Sequence, residues 1–236
     1  MVEVPSYLSA SVGIPTFLFA VSFWFLFHRA VYASKLKEDK LKFSLAVAFV
    51  LFAWFASVML LSFYDFFAWN ALIAPNLVLG WLVLFVTLKQ VYYNDRIRAV
   101  FDLISVPWLI AIQFFRIVGY SFFQLYEQGF LPATFALASG WGDIIVGVTA
   151  PIVALFYFMK FSFAKKLAIA WSVVGIVDLI VALSTGILSY PRPVQVLATA
   201  PSTEIIALFP MVIVPLFAVP LAFLLHLLTL RLIVKK

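Results

Sequence analysis

The chain has 236 residues, 66% of them hydrophobic and 11% charged, and its mean hydropathy is +1.14. A soluble domain carries about a quarter charged residues, so this composition points to a protein embedded in a bilayer. No cysteine is present, which excludes disulfides, thiolate metal sites and thiol catalysis, and two histidines are too few for an imidazole metal site. The net charge of +6 lies between apolar runs and forms no folded basic patch, so nucleic acid is not an expected partner.

Seven stretches are long enough to span, at roughly 20 residues per crossing. They fall near 8–30, 43–64, 68–89, 103–126, 133–159, 166–189 and 207–232. The expected fold is therefore all-α, a single domain over 1–236 made of seven transmembrane helices. Linkers after the first, third and fifth spans hold Arg29, Lys35, Lys37, Lys40, Lys42, then Lys89, Arg96, Arg98, then Lys160, Lys165 and Lys166. The C-terminus adds Arg231, Lys235 and Lys236, while the other side holds Glu3, Asp65, Glu127, Arg192 and Glu204. The positive-inside bias then predicts a multi-pass plasma-membrane protein with its N-terminus outside and its C-terminus in the cytoplasm. Glu3 is the one early charge and the first apolar run is too long for a signal peptide, so the first span is expected in the mature protein.

In chain order, the third span places Asn76, Gly80, Thr87 and Gln90 on one helical face. The fourth, within 102–127, carries Gln113, Arg116, Tyr120, Gln124 and Glu127 at steps of 3, 4, 4 and 3, and Asp102 shares that face on an α-helix. Lipid does not accept such a stripe, because an ionised group in hydrocarbon costs several kcal/mol, at about 3 by the lower scales. The fifth span aligns Ala136, Ser139, Asp143, Gly147, Ala150 and Ala154, small residues that let helices approach closely. The sixth aligns Trp171, Asp178, Ala182, Thr185 and Ser189. The last has no charge over 205–230 and prolines at 210, 215 and 220, which predicts a kinked packing helix or a bend beside a cavity. Ser202 before Glu204 reads as its cap.

Counting 1.5 Å per residue from the inner flank, Asp178 lies about 18 Å up, Arg116 about 21 Å and Asp143 about 25 Å. An arginine side chain spans those differences, so Arg116 is expected to pair with Asp143, Asp178 or both. Gln113, Tyr120 and Asn76 are the expected orienting hydrogen-bond partners. His226 and His28 are placed toward the cytoplasmic side. His28 reads as an interfacial ring and His226 as a partner of a backbone carbonyl, with a bis-histidine haem or a proton relay through His226 as the sharper alternatives. The two estimated depths differ by several ångströms, which counts against haem.

Two families are similar in part. Seven spans with the N-terminus outside resemble the rhodopsin topology. Retinal there needs a Schiff-base lysine in the last helix, and this chain has no lysine over 167–234, so no retinal is expected. Gly140-Trp141-Gly142-Asp143 resembles the GxGD signature of intramembrane aspartyl proteases, and Tyr64-Asp65 their upstream YD motif. That resemblance implies a dyad of Asp143 with Asp65 or Asp178 that shares a proton and activates water. It covers six residues, lacks the downstream Pro-Ala-Leu, and leaves Asp65 about 34 Å from Lys42, near the outer surface. The leading reading is therefore a polar intramembrane cavity through which a small solute or protons are moved or sensed, with Arg116, Asp143 and Asp178 at its centre. The protease is the second reading and a non-catalytic accessory subunit the third. The bilayer is the expected partner; the ligand, any cofactor and the oligomeric state are not specified by the residues.

Overall fold

A computed structural model describes residues 4–36, 39–67, 76–191 and 195–235, apart from the Leu79 side chain. Glu3, Lys37, Arg192, Lys236 and residues 68–75 of the third predicted span lie outside the described residues. Six helical segments among the described residues are long and apolar enough to cross a membrane: Ser9–Ala33, Lys40–Phe63, Val106–Glu127, Ala133–Phe158, Ala164–Leu188 and Val214–Lys235. The chain is thus an all-helical, multi-pass membrane protein. The third predicted span is represented by α3, Asn76–Tyr93.

The first segment opens with a π-helical turn, Ser9–Gly13, and continues as α1, Ile14–Ala33. Next comes α2, Lys40–Phe63, started by Asp39, whose carboxylate accepts from the Leu41 and Lys42 backbone N–H groups at 3.1 and 3.2 Å. After α3, Asn94 caps the short α4, Asp95–Phe101, in the same way. The chain then breaks at 102–105, because Pro107 disfavours helical backbone just ahead of it and fits best in a first turn. One rod follows, built from α5 (Val106–Ala111), a 3-10 stretch (Ile112–Gly119) and α6 (Tyr120–Glu127). Antiparallel to each other come α7, Ala133–Phe158, and α8, Ala164–Leu188. Last, a π-helical turn at Val214–Ala218 leads into α9, Val219–Lys235.

Small residues decide the packing. Ala136, Ser139, Gly147, Ala150 and Ala154 of α7 are all buried, as their shared face predicts. A Cβ on Gly147 would come within 2.9 Å of the Ile117 backbone nitrogen, so only glycine allows this closeness to the 3-10 stretch. The α5–α6 rod packs on α7, and α7 on α8. The core element is α9, which lies against α8, α5 and α3; 67% of its apolar window is buried, against 22% for α2. Ahead of it, Ile205, Ile206, Met211, Val212 and Ile213 are buried although they form no long helix. Irregular backbone at this depth is tolerated because protein, not lipid, surrounds it. Ser202 accepts from the Glu204 N–H at 3.4 Å as expected, but it opens one 3-10 turn, Glu204–Ala207, and not the final helix. On the other flank, α1 packs on α2 and on the 3-10 stretch.

The break at 102–105 removes Asp102 from the stripe with which it was grouped. Its carboxylate instead holds Arg231 and Lys235 at the end of α9.

Candidate functional site

Arg116 is the largest fully buried side chain among the described residues, at 1% exposure. It stands on the 3-10 stretch and reaches between α7 and α8. Its Nε donates to Asp143 Oδ1 at 2.7 Å, and its Nη2 lies 2.7 Å from the same oxygen. The same Nη2 also donates to Asp178 Oδ2. Nη1 points to the Gly175 carbonyl and to His226 Nε2, each at 3.4 Å. One guanidinium therefore joins three helices and leaves the group with one more carboxylate than cation.

Three glycines make the space. A side chain on Gly119 would overlap Asp143, one on Gly142 would overlap Asp178, and one on Gly175 would overlap the His226 ring. His226 is fully buried on α9, its ring centroid 5.0 Å from that of Trp171. Trp171 Nε1 in turn donates to Thr149 Oγ1 at 3.0 Å, which fixes the indole. With Nε2 facing an arginine N–H, that nitrogen is the acceptor side of the ring and Nδ1 is the far side. That Nδ1 has no hydrogen-bond partner. Gln113 Oε1, on the same 3-10 stretch as Arg116, is likewise buried without a hydrogen-bond partner. Beside Asp143 lies a cavity of about 30 Å³, walled by Phe122, Phe135, Leu179, Gly186 and Ile206. That volume is about the size of one water, and Asp143 is the one polar side chain in its lining.

The predicted meeting of Arg116 with Asp143 and Asp178 is present, with both acids engaged. Gln113 is buried one 3-10 turn before Arg116, and its Nε2 donates to the Ala222 carbonyl of α9 at 3.0 Å. Tyr120 is not in the site. At four residues past Arg116 it would sit about 40° round an α-helix, but a 3-10 helix has three residues per turn and sends it about 120° away. Gln113, Arg116 and Gly119 share the inner face instead, and Tyr120 is 57% exposed. Asn76 is buried at the start of α3, whose neighbours are α4, α9, α2 and the Val214–Ala218 turn.

The two histidines have separate surroundings. His28 Nδ1 lies 2.9 Å from Ser44 Oγ, and its ring packs on Tyr32 and Trp24. His226 sits at the level of Arg116, deeper than the count from the chain end suggested. Nothing in α9 alone announces this; the clue was on α8, where Gly175 stands one turn from Asp178 and opens room for a ring. Asp65 is exposed at the end of α2 with a left-handed φ of 56°. The two acids that converge are Asp143 and Asp178, and the Arg116 Nη2 occupies the point between their oxygens.

A second ion group closes the end of the bundle. Asp102 binds Arg231 on one oxygen and Lys235 on the other. Its partial burial by itself would raise its pKa, but hydrogen bonds and charge from Arg231 and Lys235 outweigh this and hold it below the ordinary 3.8.

Fold and site together define a multi-pass helical membrane protein with an ion cluster enclosed by its helices. The chain belongs to the family described as Domain of unknown function (DUF8737), which matches residues 72–234 and so includes Arg116, Asp143, Asp178 and His226. No curated protein and no solved structure matches it.

Proposed function

We propose that this protein is a seven-span plasma-membrane protein, N-terminus outside and C-terminus inside, that binds protons at the Arg116–Asp143–Asp178–His226 cluster in order to move or sense them. The observation that carries this reading is the shared guanidinium: two carboxylates converge on one buried cation, and the surplus negative charge requires a proton or another cation. Ionisable groups inside a membrane serve function by default because their burial is so costly. The neighbouring space is of water size, which favours a proton over a larger solute. His226 closes the α9 side of the cluster, where its Nε2 takes an Arg116 N–H, so that the guanidinium and not the imidazole stands against the carboxylates. Gln113, through its free Oε1, orients water at the inner side.

The test is proton uptake by the full chain in liposomes that enclose a pH-sensitive dye. Asp143→Asn, Asp178→Asn and His226→Leu each abolish the uptake or shift its pH profile, whereas Asp65→Asn, at an exposed carboxylate beyond α2, leaves it unchanged. Identical profiles in the native protein and in both Asn variants would overturn the proposal.

One observation favours the protease reading, namely that the two carboxylates converge. Against it, Arg116 fills the position where an aspartyl dyad keeps its water and opposes the shared-proton state. Cleavage of a helical substrate that is lost in both Asn variants decides for it.

A further inference from the structure

The helical irregularity that removes Tyr120 from the ion cluster places it somewhere specific. Between α1 and the Ile112–Gly119 stretch runs a groove of about 500 Å³, within the range of small-ligand sites. Tyr7 donates to Gln128 at 3.3 Å and the rings of Phe19 and Phe115 stack at 3.7 Å, so the two segments are antiparallel and Ser11 falls level with Gln124. One end of the groove is therefore polar, with Ser11, Tyr120, Ser121 and Gln124. The remainder is apolar apart from the Ser22 hydroxyl at its far end, with Leu18, Phe114, Phe115 and Ile117. No charged side chain among the described residues lines it.

Ser11 sits in the π-helical turn, an irregularity frequent at functional sites, and its hydroxyl is buried with no hydrogen-bond partner. Both walls belong to membrane-length helices, and Leu18 and Tyr120 are more than half exposed on the outside of the bundle. The mouth consequently opens to the bilayer, not to water. A solute from the aqueous phase would face hydrocarbon there, and a charged headgroup would find no counter-charge.

We propose that this groove binds a neutral amphiphilic lipid whose head carries hydroxyl or carbonyl oxygens. The head meets Ser11, Tyr120 and Gln124, and the chain lies over Leu18 and Phe114. The occupant touches Phe115 and Ile117, the two neighbours of Arg116 in sequence, so it presses on the backbone that carries the ion cluster from behind. This site stands independently of any proton chemistry.

The experiment is photolabelling of the full chain in phosphatidylcholine vesicles with a diazirine-bearing diacylglycerol, mapped by mass spectrometry. Labelling of α1 and Ile112–Gly119 is expected to exceed that of α2, whose lipid-facing surface reports simple bilayer contact. Leu18→Trp, a change at an exposed position that fills the groove, removes the excess. Ser11→Ala lowers it about threefold, one hydrogen bond's worth, and disturbs no protein contact. Even labelling over α1 and α2, an excess indifferent to both substitutions, or equal labelling by the phosphatidic acid analogue with the same chains overturns the proposal.

Discussion

At Arg116 one cation is shared by two carboxylates inside the bundle; at Asp102 one carboxylate is shared by two cations at its end. The inner group rests on irregular backbone, with glycines cut away around it and unpartnered polar atoms beside it. The end group is made from long side chains near the close of α9, with Lys235 58% exposed. Both are carried in part by α9, where His226 and Arg231 stand five residues, or about 7.5 Å, apart along the helix. The contrast separates two uses of charge. The end group fastens α9 to the link between α4 and α5 where water can solvate what protein does not. The inner group has no such recourse, so every charge in it needs a partner, and the arrangement makes sense when one of those partners comes and goes.

The largest effect expected from breaking this comparison is at Arg116. Arg116→Leu leaves two nearly buried carboxylates without their cation and costs about 3–5 kcal/mol of stability, read as unfolding in detergent. Replacing Arg116, Asp143 and Asp178 together with Leu is expected to restore most of that stability, because an apolar trio needs no charge compensation. Proton uptake stays absent in both. A triple variant as unstable as the single one would show that the cost comes from lost packing and not from uncompensated carboxylates.

Next comes the glycine cradle, which the end group lacks. Gly175→Ala drives a methyl into the His226 ring and costs about 1–3 kcal/mol as an overpacked core site. His226→Ala in the same chain makes room for that methyl. The double variant is expected to recover stability relative to Gly175→Ala while remaining inactive in proton uptake, a coupling that a double-mutant cycle measures directly.

The membrane class, most span positions and the meeting of Arg116 with its two acids were legible because they depend on composition, on a 1.5 Å rise and on charge. Depth counted along a rod is a one-dimensional quantity, and it survives small irregularities. Angular position does not. The stripe through Gln113, Arg116 and Tyr120 assumed 3.6 residues per turn, and eight residues of 3-10 helix were enough to turn Tyr120 outward. Asp102 was misplaced for a related reason: Pro107 stops the helix that would have carried it on the same face. His226 was placed by counting from the chain end, which says nothing about the Gly175 hollow across the interface. Gly142 was read only as part of the GxGD resemblance, and Gly119 and Gly175 carried no sequence signal of their own, since their role against Asp143, Asp178 and His226 exists only once the helices meet.

The smallest effects belong to the end group, and they sharpen the comparison through salt and pH. Asp102→Asn is expected to cost about 1 kcal/mol and Lys235→Ala about 0.3, as for partly solvated ion pairs. Because Arg231 and Lys235 hold Asp102 below its ordinary 3.8, its contribution is complete at neutral pH and is lost as the pH falls past that value through the folded-state pKa. The Asn variant lacks that acid-side component, so the stability gap between the two proteins closes with acid. About 1 M salt, with a screening length near 3 Å, closes it as well. The same salt leaves the cost of Arg116→Leu in place, because the inner charges are shielded from ions by the protein around them. Were salt to erase both costs alike, the inner cluster would be open to bulk solvent and the distinction between the two groups would fall.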